Sequence, residues 1–189
     1  MVIGAALRPL VLPGDHRAPP VLNSTEIGFA QDMTAHHQQA IEMVQRLDPA
    51  VDPQVMALAR QIERSQEIEI GTMLGWLRLA GAAPTDSHPM MWMHEGGPHH
   101  DMAPGPMPGM ASAAEMDRLT AARGRDAEIL FLQLMYRHHA GGNTMARAAD
   151  QRIGSGPVKE TARSELVDQA QEVGLMTVLL SQRGAEPLP

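Results

Sequence analysis

Phe29-Ala-Gln-Asp-Met33-Thr-Ala-His36-His37 returns 102 residues later as Phe131-Leu-Gln-Leu-Met135-Tyr-Arg-His138-His139, and Met43 and Met145 extend the match. A second set follows at an offset of 103: Ala59-Arg60, Gln66, Glu69, Gly71, Met73, Leu77, Gly81-Ala82 and Pro84 against Ala162-Arg163, Gln169, Glu172, Gly174, Met176, Leu180, Gly184-Ala185 and Pro187. Identities in this order read as a duplicated helical hairpin. One hairpin cannot bury its own apolar stripe, so two of them predict an all-α, antiparallel four-helix bundle.

Helix signals frame each copy. Asn23 and Glu26 have capping-box spacing, and Asp48-Pro49 stops the first pattern near Leu47. Asp52-Pro53 opens the second, which runs to Leu79 with Gly81 as its C-terminal cap. Ser112 and Glu115 open a short helix to about Ala122, broken by Gly124. Asp126 is expected to cap the third long helix, which ends near Ile153-Gly154; Gly156-Pro157 opens the fourth, closed by Gly184. The expected organisation is a linker or signal/anchor remnant over 1–22, then a bundle domain over 23–187. The hairpins are 23–84 and 126–187, and a Met/His-rich insert occupies 85–111.

Composition removes several function classes. The chain has 189 residues, 43% of them hydrophobic but only 3% aromatic, so its core is aliphatic and rich in Ala and Met. A formal net charge of -7 argues against binding nucleic acid, which needs positive charge against phosphate. With no Cys, disulfides, thiolate zinc sites, iron–sulfur clusters and Cys nucleophiles are excluded. The apolar start, Met1 to Leu12, is interrupted by Arg8 and Pro9 and is too short to span a bilayer. It reads either as the stump of a removed signal or anchor, or as an ordinary disordered terminus. Any membrane link would run through that truncated anchor.

The chain holds 15 Met and 9 His, and their placement carries the functional argument. At 100° per residue Phe29, Met33, Ala40, Val44 and Leu47 form one stripe, with His36 and His37 on either side of it. Phe131, Met135, Gly142, Ala146 and Ala149 repeat the stripe, flanked by His138 and His139. A pseudo-two-fold axis along the bundle is expected to bring the two Met-x-x-His-His motifs to one height. Thioether sulfur is soft and suits Cu(I), and imidazole suits both copper oxidation states. Met33, His36, His37 and Met43, and likewise Met135, His138, His139 and Met145, are therefore candidate copper ligands. The alternative is that the Met only fill the core and the His only bond to Gln66 or Glu69, or to Gln169 or Glu172. Glu-x-x-His occurs nowhere, which argues against a di-iron bundle.

Residues 88–110 contain four His and six Met, interspersed with Pro and Gly that prevent regular structure. Met90, Met91, Met93 and His94 form one candidate cluster for Cu(I) or Ag(I), with Trp92 positioned for a cation–π contact. His99, His100 and Met102 form another, and the His-only sets also suit Zn(II). The competing reading is a loop whose Met pack back onto the bundle.

These motifs have a known counterpart. Phe29-x3-Met33-x2-His36-His37-x5-Met43, followed by Gln66-x2-Glu69-x3-Met73-x2-Trp76-Leu77, and the second copy through Gln169-x2-Glu172-x3-Met176, resemble the family called domain of unknown function 305. That resemblance implies a ferritin-like four-helix bundle, mostly bacterial and secreted or membrane-anchored. Some members of that family bind copper through Met and His and serve in copper resistance, while most have no established activity. A non-enzymatic, extracytoplasmic copper protein is the leading expectation, with a copper-handling partner or a second copy of itself as protein partner. A metal-free helical interaction or sensory module is the alternative. Gly141-Gly142 departs from Gln39-Ala40 of the first copy, and is expected to loosen that half or admit a ligand.

Overall fold

The first helix starts as its sequence dictates: Asn23 Oδ1 accepts from the Glu26 amide at 3.0 Å, and Glu26 Oε2 accepts from the Asn23 amide at 2.8 Å. The computed structural model describes residues 20–93 and 106–188. Among these it contains α1 (Ser24–Arg46), α2 (Pro53–Leu79), a 3-10 turn (Met91–Met93), α3 (Ala113–Ala121), α4 (Gly124–Arg152) and α5 (Pro157–Gln182). There are no strands among the described residues. The four long helices form the all-α bundle that the sequence predicts.

The start of α4 differs from expectation. Asp126 lies in its first turn, and Arg123 at the cap position makes no side-chain capping bond. Gly124 takes φ +52°, and its amide donates to Asp48 Oδ2 at 2.8 Å. The cap is thus supplied by the α1–α2 turn. Glu128 on α4 reciprocates, accepting from the Asp52 amide at 2.8 Å and from Arg183 Nε at 2.6 Å.

These contacts set the direction of the second hairpin. The end of α1 meets the start of α4, so α1 and α4 run antiparallel, and α5 runs with α1. The pseudo-two-fold therefore lies across the helices rather than along the bundle as expected. The connection 80–123 makes this possible: α2 ends beside the start of α1, α4 begins beside the end of α1, and a connection of that length is ample to span the distance. With a short link α4 would start beside the end of α2.

The connection is docked at both ends on α1. Trp92 is buried, its ring edge-on to Phe29 with centroids 5.5 Å apart. Asp32 Oδ2 accepts from Trp92 Nε1 at 2.9 Å and from the Met90 amide at 2.6 Å. Burial raises the Asp32 carboxyl above its ordinary value, an effect these two bonds oppose. At the other end Gln39 exchanges two bonds with the Ala111 backbone, at 2.7 and 2.9 Å, and Arg137 grips Glu115 through two bonds at 2.8 and 2.9 Å.

Trp92 needs Gly28. A Cβ on Gly28 would lie 2.8 Å from the Trp92 Cβ. Gly28→Ala gains about 1 kcal/mol of helix propensity but overpacks this seat at about 1–3 kcal/mol. We expect a net loss near 1 kcal/mol, with Trp92 fluorescence shifted to the red; an unshifted spectrum with higher stability would contradict the docking.

Candidate metal centre

The apolar core is divided by a polar belt. One cluster holds Phe29, Met33, Met73, Met90, Trp92, Met145 and Ala149. The other holds Met43, Leu47, Phe131, Met135 and Met176. Between them lie His36, His37, His138 and His139, each no more than 1% exposed, with buried Gln66, Glu165, Gln169 and Glu172. The belt falls where the stripes of α1 and α4 cross.

His36 and His138 stack across the crossing, ring centroids 3.8 Å apart and planes 29° apart. His36 Nε2 donates to the Pro108 carbonyl and His138 Nε2 to the His36 carbonyl, each at 2.9 Å. With Nε2 carrying the proton, each ring is neutral. Burial is the largest cause, and neighbouring imidazoles reinforce it: His36 falls to about 3 and His138 well below its ordinary value.

The outer pair is bonded to carboxylates. His37 Nε2 meets Glu69 Oε2 at 2.7 Å, and His139 Nε2 meets Glu172 Oε2 at 2.7 Å. Matching contacts thus recur in the two halves. The Nδ1 atoms of all four histidines are buried without a hydrogen-bond partner. Imidazole nitrogens in that condition are free to ligate, and they lie in a belt bordered on both sides by thioethers.

The methionines sort differently from the sequence pairing. Met33 and Met43, ten positions apart on α1, fall in different clusters. Met33 joins Met73, Met90 and Met145; Met43 joins Met135 and Met176. Met73 and Met176 were visible only as repeat identities, although both lie at 0% exposure.

The insert candidates separate as well. Met90 is buried, Met91 is 38% exposed, and Met93 is half-buried with its carbonyl accepting from Arg152. Trp92 is an anchor packed on Phe29 rather than a free cation–π partner. His94, His99, His100 and Met102 lie outside the described residues.

Gly141 and Gly142 do not leave a looser half. The Pro108 carbonyl sits on Gly141, and the Gln169 side-chain amide fills the space beside Gly142. Pro108 also takes the His36 hydrogen bond, so the insert closes the belt.

Glu165 was not singled out from the sequence. It is fully buried on α5, and neither carboxyl oxygen has a hydrogen-bond partner. Burial pushes its carboxyl well above the ordinary range, and Glu69 and Asp168 add to the rise. The available signal was its spacing: Ala162, Glu165, Gln169, Glu172 and Met176 follow the inward stripe.

A helical bundle with Met clusters on either side of a histidine belt defines the class of protein. The sequence profile described as domain of unknown function 305 matches residues 26–180, and the chain belongs to that family. Among solved structures it is similar to a protein of this family from Streptomyces coelicolor, thought to be secreted: identity is 40%, TM-score 0.77, with 88% of this chain and 98% of that chain covered. A fragment from Deinococcus radiodurans is 29% identical, TM-score 0.70, covering 87% and 99%. CopM in its Cu(II)-bound form is 28% identical, TM-score 0.63, covering 83% and 96%. CopM in its Cu(I)-bound form, at 24% identity and TM-score 0.61 over 85% and 98%, shares the fold. No curated protein matches the chain.

Proposed function

We propose that this protein binds copper without transforming it, as a buffer, chaperone or resistance factor outside the cytoplasm. The observation that carries this reading is the grouping of Met33, Met73, Met90 and Met145 in one buried cluster bordering four histidines with unpartnered Nδ1 atoms. Thioethers select Cu(I), and the imidazoles accept either oxidation state. Met43, Met135 and Met176 offer a second soft set on the far side of the belt. The Met/His-rich insert, docked through Met90 and Trp92, would deliver the ion. Likeness to CopM, solved with each copper ion bound, supports the assignment. The extracytoplasmic location is supported by the Streptomyces coelicolor relative, and no helix among the described residues is long and apolar enough to cross a membrane. In this reading the ion is cargo, and its donor or acceptor is a copper-handling protein.

Titrating the chain with Cu(I) against a competing chelator tests the proposal. Binding tighter than micromolar is expected, and binding only weaker than that would overturn it. Met33→Leu with Met145→Leu conserves core volume, each at a cost below about 1.5 kcal/mol, and should lower the stoichiometry while helicity is retained. The metal-free helical module is favoured by one fact: every belt histidine already has an Nε2 partner. It predicts no Cu(I) binding and an association state indifferent to copper.

A further inference from the structure

Glu165 has no task in a thioether-bound copper site. A buried carboxyl lacking hydrogen bonds is a cost that a fold does not carry without compensation. Its neighbours suggest what compensates. Glu165 Oε1 lies 3.9 Å from His37 Nε2, and Glu69 Oε2 lies 2.7 Å from the same nitrogen. One donor atom from each of His37, Glu69 and Glu165 falls within 4.8 Å of the others. The three come from α1, α2 and α5, so the cluster is held by three packed helices rather than by a loop.

We propose that His37, Glu69 and Glu165 bind one borderline divalent cation of the Zn(II) type, at a site separate from any Cu(I) held by thioethers. One imidazole nitrogen and two carboxylates make an N/O donor set, which suits such a cation and gives Cu(I) no soft ligand. An ion there gives the Glu165 carboxylate the partner it otherwise lacks. Glu69 keeps 19% of its side chain exposed, which provides the entry from solvent. The site is single. His139 and Glu172 repeat His37 and Glu69, but at the 103-residue offset the position matching Glu165 is Ile62. The second half therefore lacks the third donor, and one equivalent per chain is the expected stoichiometry in the belt.

The test uses the full chain, purified without an affinity tag and stripped of metal, with Co(II) as spectroscopic probe and Zn(II) as competitor. Unaltered protein should show a visible Co(II) band that one equivalent of Zn(II) abolishes. Glu165→Gln, which keeps size and removes charge, should bind one equivalent fewer, or bind that equivalent at least tenfold more weakly, with its Cu(I) stoichiometry unchanged. Glu165→Ile, copying the twin position, should also lose the band, and its metal-free thermal midpoint should rise. A band and stoichiometry identical in Glu165→Gln and unaltered protein would overturn the proposal. Loss of Cu(I) sites alone, with the Co(II) band intact in the Met variants, would instead bear on the copper reading.

Discussion

Acidifying the metal-free protein below pH 6.5 should lower its stability progressively, and the loss should continue towards pH 3. A histidine whose folded value is depressed binds its proton in the unfolded chain first. Its contribution is whole above 6.5 and declines as the pH drops, until the folded value is reached. For His36 that value is about 3, and His138 shares the direction. His36 loses about 1.4 kcal/mol per pH unit across that window. Glu165 has the opposite sign. Its folded value is raised, so it costs stability above 4.5 and relieves that cost as the pH falls. Between 6.5 and 4.5 the gain from Glu165 therefore opposes the loss from the two histidines, and below 4.5 the histidine loss is no longer offset by it. Glu115, held at about 2 by Arg137, adds loss in the same direction. Against a total of about 5–15 kcal/mol for a domain, the His36 loss alone is a substantial fraction by the time its folded value of about 3 is reached. Urea titrations across pH check it. Glu165→Gln removes the raised carboxyl, so it should be more stable at pH 7 and should lose stability more steeply on acidification than the unaltered protein. A flat profile from 6.5 to 4.5 in both proteins would show that His36 and His138 accept protons without cost.

Much of this belt was legible because it follows helix periodicity. His36, His37, His138 and His139 were placed beside an apolar stripe by angle alone, and they occupy the core. Gln66 and Gln169 were placed level with them by counting from the turn, and both are buried there. What escaped were relations that spacing along one chain segment does not encode. Matching the two copies finds shared residues, so it passes over Glu165, whose significance is that its twin, Ile62, differs. The direction of the pseudo-two-fold depends on where a long connection returns the chain. Its length was visible, but its route was not. The Met grouping changed with it: once α1 and α4 are antiparallel, Met33 faces Met145 rather than Met135. The insert's docking rests on Trp92 against Gly28 and Pro108 against Gly141, contacts between residues far apart in sequence.

Gly141→Ala should destabilise the protein by several kilocalories per mole, although a helix interior ordinarily favours Ala. Propensity alone gives Ala an advantage of about 1 kcal/mol. A Cβ on Gly141, however, would overlap the Pro108 carbonyl group and lie 2.7 Å from the Gly109 amide nitrogen. These are backbone atoms, and Gly109 already holds φ +78° against the Arg137 carbonyl, so the segment has no room to yield. It must lift away. Overpacking costs about 1–3 kcal/mol, and the buried His36 Nε2–H loses its acceptor, adding about 1–3 kcal/mol. The loss exceeds the gain, and at about 2–4 °C per kcal/mol for a chain of this size the thermal midpoint should fall by roughly 5–10 °C. Gly71, Gly75 and Gly174 serve as controls, since a Cβ at each meets nothing within 4 Å. Alanine there should raise stability by about 0.5–1 kcal/mol. If Gly141→Ala behaves like the controls, the insert does not seat on the belt, and the route by which it would pass an ion to the bundle is lost with it.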